Sequence, residues 1–160
     1  MSNEDSSVNP APPPSRPRQS HVSIADVERI VRDSLPLAAL LGLRVETLEY
    51  GRCVTRMPFR RDLIRPGGTV AGPALMGLAD FVMYLVVLSQ IGPVELAVTT
   101  NLNINFLRKP GEADVIAEGR SLKLGKRLAV LEVALYSEGE GEPVAHVTGT
   151  YSIPPPEQRQ

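Results

Sequence analysis

The sequence predicts an α+β fold in which an antiparallel sheet of about six strands wraps around one long central helix. Three observations carry this expectation. Gly72 to Ile91 (GPALMGLADFVMYLVVLSQI) is a helical length of almost wholly apolar residues with a single ionisable side chain, Asp80. A helix apolar on all sides must be buried. After it the hydrophobic period changes from 3.6 to 2, and glycine and proline turns divide the remaining chain into strands.

Residues 1–20 are rich in Pro, Ser and Asn with almost no large apolar side chains, so they are expected to form a disordered tail. The PPPSRP run within it reads as solubilising tail rather than a ligand for a proline-recognition domain. The domain itself is expected over residues 21–153, with a flexible end at 154–160. From Ser23, the spacing Ile24, Val27, Ile30, Val31 with acidic residues in the first turn predicts a short amphipathic helix capped by that serine. Pro36 interrupts it, and a second short turn through Leu37 to Leu41 stops at Gly42. Two strands follow, Leu43 to Tyr50 and Arg52 to Phe59, and residues 60–71 read as a loop. Pro73 then sits early in the apolar helix, where its missing N–H costs nothing.

The helix ends near Gly92-Pro93. In TTNLNINFL, Thr100, Leu102, Ile104 and Phe106 alternate with Thr99, Asn101, Asn103 and Asn105, which predicts a two-faced strand. Three more strands are expected at roughly Asp114 to Leu124, Lys126 to Ser137 and Pro143 to Ile153. Met76 and Met83 fall at helical spacing and read as core packing.

Composition narrows the function classes. The chain has 160 residues, with Lys plus Arg at 17 against Asp plus Glu at 18, so it offers no field for nucleic acid or an anionic membrane. Cys53 is the only cysteine, which rules out an internal disulfide and leaves no zinc set. The start MSNEDSSVNP lacks a basic then apolar secretory pattern, so a cytoplasmic location is expected. The apolar run approaches the length of a membrane span. Asp80 near its middle would cost roughly 2.5 to 3.5 kcal/mol there, and the strands need a packing partner, so a buried core helix is the expectation.

Between residues 65 and 80 the chain reads Arg65-Pro66-Gly67-Gly68-Thr69-Val70-Ala71-Gly72-Pro73, then Leu78-Ala79-Asp80. This register resembles the phenylacetyl-CoA-type (PaaI-like) acyl-CoA thioesterases of the hotdog superfamily, over about residues 40–153. There the pattern is N-x-x-G-x-x-H-G-G followed by L-A-D, the acid lying nine residues after the His. The resemblance implies that Asp80 is the acid, acting as nucleophile or as general base for water. It also implies that the Gly72 backbone N–H is the oxyanion donor. Arg65 stands where the family has an Asn or Gln, Ala71 where it has His, and Pro73 where it has the second Gly. Thr99, with Thr100 as its neighbour, matches the hydroxyl that helps hold the attacking water. The turn Lys123-Leu124-Gly125-Lys126-Arg127 resembles the family's turn along the CoA phosphates, with Arg108 a further phosphate partner.

Thioester hydrolysis needs donors aimed at the developing oxyanion and a carboxylate that attacks or deprotonates water. A helix N-terminus supplies free N–H groups, which suits Gly72. Asp80 lies eight residues along the same helix, about 12 Å away at 1.5 Å per residue, so one helix cannot bring both to one carbonyl. The expectation is therefore a homodimer or dimer-of-dimers tetramer with shared sites, acting on an acyl-CoA substrate and needing no metal or other cofactor. Against each functional role stands a plain one: a hydrogen-bonded core carboxylate for Asp80, an ordinary strand threonine for Thr99, solvated side chains for Arg65, Arg108, Lys123, Lys126 and Arg127. The asparagine face reads as interface or solvent. His21 is expected in the disordered tail and His146 in the last strand, so no histidine accompanies Asp80 and hotdog dehydratase chemistry is disfavoured. The rival functions are a non-catalytic hotdog protein binding an acyl-CoA or fatty acyl ligand, and a purely structural oligomer module.

Overall fold

A computed structural model of the protein describes residues 18–158; most of the expected N-terminal tail and its PPPSRP run lie outside them. The chain begins against the domain: the Arg18 guanidinium sits 5.4 Å from the centre of the Tyr50 ring. His21, placed with the tail from sequence, donates its backbone N–H to Ser89 O at 2.8 Å and meets Tyr50 edge-on. Helix α1 (Ile24–Ser34) carries the expected cap as a complete capping box, Ser23 Oγ accepting from Asp26 N and the Asp26 carboxylate accepting from Ser23 N. Helix α2 (Pro36–Leu41) ends at Gly42, whose φ of 69° is the left-handed stop that glycine favours.

Strands β1 (Arg44–Glu49) and β2 (Arg52–Met57) form a hairpin about Gly51. The segment expected to be a loop with a Pro-Gly-Gly turn has that turn at residues 66–68, and around it a 3₁₀ turn (Arg61–Leu63) and a miniature hairpin, β3 (Ile64–Arg65) with β4 (Thr69–Val70). Two-residue strands carry no periodicity, so pattern reading cannot find them. Helix α3 (Gly72–Ile91) follows, then β5 (Val98–Phe106), β6 (Val115–Leu124), β7 (Leu128–Ser137) and β8 (Ala145–Ser152). The six long strands form one antiparallel sheet in the order β1-β2-β6-β7-β8-β5, and α3 packs against all six.

Among the described residues α3 is the one helix long and apolar enough to cross a membrane, and it is buried by this sheet. Leu78, Val82, Leu85, Val86 and Leu88 are fully covered, as are Val115, Leu131, Val133 and Val147 of the sheet. Met83 joins this core, but Met76 is exposed, because one side of the first turns of α3 faces outward while Ala74, Leu75 and Leu78 are buried. Close approaches of helix and sheet fall at strand glycines: a Cβ on Gly119 would clash with Val82 Cγ1, and one on Gly149 would lie 2.6 Å from Met83 Sδ.

The alternation expected in β5 breaks at its start. Thr99 pairs with Tyr151 and Asn101 with Thr150, so Thr100 is the extra residue of a β-bulge. The bulge moves Thr99 from the asparagine face to the inward face shared by Leu102 and Ile104, and turns Thr100 away to bond Thr150 O. This one-residue shift brings a hydroxyl to α3.

Candidate active site

Asp80 sits on the third turn of α3, half-buried, in the wall of a cavity of about 340 Å³. Thr99 Oγ1 donates to its Oδ1 at 2.6 Å, and the Tyr151 hydroxyl reaches the same oxygen at 2.9 Å and the Asp80 main-chain oxygen at 3.0 Å. Oδ2 accepts no hydrogen bond from any described residue and is not sealed in the core, where Gln90 Oε1 is the lone unpartnered side-chain atom among the described residues. The rest of the cavity is largely apolar, with Leu37, Leu41, Phe81 and Val98 among its walls. Burial, and after it the Asp80 charge, push the Tyr151 phenol far above its ordinary pKa, so it remains a protonated donor.

Gly72 lies in a different cavity, of about 510 Å³, with Arg65, Phe106, Arg108 and Lys109. It is the first residue of α3, so its N–H is outside the i to i−4 ladder, and no turn or cap bond among the described residues uses it. Pro73 has no N–H, and Ala74 and Leu75 both donate to Ala71 O, which leaves the Gly72 amide as the donor the helix end presents. A Cβ here would press on the Phe106 ring at 3.1 Å, so glycine also keeps the approach open. Arg65, at the end of β3, is exposed, and its guanidinium has no hydrogen bond or ion pair among the described residues. The Arg65-to-Thr69 hairpin that aims it turns through Gly67 and Gly68, with φ of 98° and 75°. Arg108 is partly engaged, by Glu142 at 2.9 Å and Pro143 O at 3.2 Å.

The structure thus joins Asp80 with Thr99, joins Gly72 with Arg65 and Arg108, and keeps the two groups apart within one chain. Lys123, Gly125, Lys126 and Arg127 form the β6–β7 turn and line neither cavity. Register sets that turn at the end of β8, where Arg127 O accepts from Ile153 N and Ala129 pairs with Tyr151. His146 lies on the opposite face of the sheet, bonded to Glu132, away from Asp80. Tyr151 escaped the sequence reading, because a tyrosine in a terminal strand is ordinary and only the β5–β8 register shows what it faces.

Residues 67–144 match the family model of the thioesterase superfamily. A candidate thioesterase from Silicibacter sp. TM1040 superposes with a TM-score of 0.77 at 38% identity, covering 86% of this chain and 95% of its own. A variant of the phenylacetic acid degradation protein PaaI from Thermus thermophilus gives 0.66 at 33%, covering 73% and 97%. This chain belongs to the PaaI-like hotdog thioesterases. A candidate esterase from Thermoplasma acidophilum is similarly related, 31% identical over 71% of this chain and 84% of its own length. The reaction class of the superfamily is hydrolysis of thioester or ester bonds.

Proposed function

We propose that this hotdog thioesterase hydrolyses acyl-CoA thioesters to free acid and CoA at paired sites of a homodimer, each built from Asp80 of one subunit and Gly72 of the partner subunit. The observation that carries the proposal is the state of Asp80: one oxygen held by two hydroxyls, the other without a partner among the described residues, in the wall of an apolar cavity. In the reaction Oδ2 either takes a proton from an attacking water and passes it on to the departing thiolate, or attacks the thioester carbon. The attack forms an acyl anhydride that water then hydrolyses, restoring the carboxylate and supplying the thiol proton. The carbonyl oxygen gains charge opposite the Gly72 amide, with Arg65 assisting, and the CoA thiolate leaves and is protonated. A cavity of about 340 Å³ with aliphatic and aromatic walls suits a medium-chain or aromatic acyl group. Lys123, Lys126, Arg127 and Arg108 are the cations available for the CoA phosphates.

Strand β5 supports the dimer. It is the terminal strand of the sheet, and its nine residues, Val98–Phe106, contain no proline or charge to guard its open edge. Its start holds Asp80 through Thr99, and its last residue, Phe106, lies against Gly72. Antiparallel pairing of β5 with its copy about a two-fold axis therefore sets the acid end of one subunit beside the amide end of the other. The same pairing gives the exposed Asn101, Asn103 and Asn105 an interface setting.

The deciding experiment is hydrolysis of a panel of acyl-CoA thioesters by the wild type and by Asp80→Asn. Turnover of at least one member, lowered about 100-fold or more by D80N, is the expected outcome. Binding of acyl-CoA without turnover would instead support the non-catalytic acyl-CoA binder, which the Ala71 and Arg65 departures from the family pattern favour. Absence of both would leave only a structural module.

A further inference from the structure

We infer that Tyr151 is a positioning residue that fixes which oxygen of Asp80 reacts, a role resting on the hydrolase reading above. Tyr151 is 3% exposed and its ring packs against Tyr84 with centroids 6.3 Å apart, so its direction is set by the core. Its single phenolic proton is shared between Asp80 Oδ1 and the Asp80 main-chain oxygen, tying side chain and helix backbone to one donor. Thr99 adds a second donor to the same Oδ1. These residues are directly paired across β5 and β8: plain alternation in β8 turns Tyr151 inward with Val147 and Gly149, and the bulge at Thr100 turns Thr99 to the same side.

A carboxylate turns easily about its last torsion, because such sp³–sp² torsions have broad minima. Two donors converging on Oδ1 remove that freedom and leave Oδ2 as the oxygen presented to the cavity. The groups facing the acid are Thr99 from β5 and Tyr151 from β8, with Tyr84 and the rim residue Glu95 elsewhere on the cavity wall; no cation among the described residues lines it. Orientation here comes from neutral hydroxyls. Thr99 accordingly spends its proton on the acid, and any hold it has on an attacking water is through its lone pairs.

Tyr151→Phe keeps the ring that lines the cavity and removes only the hydroxyl. The expected result is a kcat lower by about tenfold to 100-fold with KM little changed, since the acid is misaligned and the acyl wall is intact. Carbon-13 NMR of carboxyl-labelled aspartate gives a readout independent of turnover. The Asp80 carboxyl resonance, identified by its loss in D80N, changes its chemical shift in Y151F relative to wild type, and Thr99→Val does the same while Thr99→Ser does not. A Y151F protein with an unchanged Asp80 carboxyl resonance overturns the inference, as does a rise in KM at unchanged kcat. If the wild type hydrolyses no thioester the functional reading fails, and the Asp80 carboxyl resonance still decides whether Tyr151 positions the acid.

Discussion

The two cavities of this molecule differ in how finished they are. Around Asp80 the side chains are packed and bonded: Thr99, Tyr151 and Tyr84 sit in fixed contacts, and the walls are largely apolar. Around Gly72 the donors are free among the described residues: the helix amide has no partner, Arg65 and Lys109 are exposed and unpaired, and Phe106 stands 53% exposed. Preorganised groups keep their alignment only when their neighbours hold them, and unpaired donors gain most when a ligand or a second chain arrives. The acid half is thus built by the single chain, whereas the donor half stands ready for contact from outside.

The largest expected effect tests whether the two halves meet across subunits. Gly72→Pro removes the one free amide while keeping a residue that suits the first position of a helix, and Ala71 already has the extended backbone that precedes proline well. G72P and D80N should each lose about 100-fold or more in kcat/KM. Mixed after unfolding and refolding together, they should recover on the order of one quarter of wild-type activity, because half of randomly formed dimers are mixed and each holds one intact site. No recovery, with mixed dimers demonstrated by mass, would show that acid and amide act within one chain.

A smaller effect is expected at Arg65, which sits at the open cavity and substitutes a guanidinium for the family's amide. Arg65→Ala should lower kcat/KM about tenfold, and Arg65→Gln, restoring an amide donor, should keep most of the activity. Equal loss in both variants would show that the charge itself is used, for instance on a phosphate. Unchanged activity in both would make Arg65 a solvated hairpin residue.

The sequence revealed the acid half's acid and the donor half's amide for different reasons. Asp80 was visible because a lone carboxylate in an apolar helix is costly without a purpose. Gly72 was visible only through its register with the resembling family, since glycine at a helix start is commonplace. Thr99 was identified from that resemblance, but alternation placed it on the wrong face of β5, and a single bulge corrected it. Tyr151 could not be found at all, because its partner lies 71 residues away and is reached only through strand pairing. The β3–β4 hairpin that carries Arg65 was hidden for the opposite reason, being too local to generate a period.

The smallest expected effect sharpens the contrast through stability at high pH. Two tyrosines line the acid cavity and none lines the donor cavity. Burial, with Glu95 adding to it, raises the Tyr84 phenol from 10.0 to about 12, and burial with the Asp80 charge raises Tyr151 further. A group whose folded pKa is raised retains its proton in the native state while the unfolded chain releases it, so its stabilisation is complete below pH 10 and fades as pH rises through the folded value. At pH 11 Tyr84 alone should account for about 1 kcal/mol of lost stability relative to pH 8. Urea denaturation at pH 8, 10 and 11 should therefore show a falling midpoint in wild type and a shallower fall in Tyr84→Phe. That variant also gives up the hydroxyl's bond to Glu95 O, so it starts lower at pH 8 and the two curves converge as the medium becomes alkaline. Parallel curves would mean that the phenol titrates alike in both states, and the acid cavity would then be as open to water as the donor cavity.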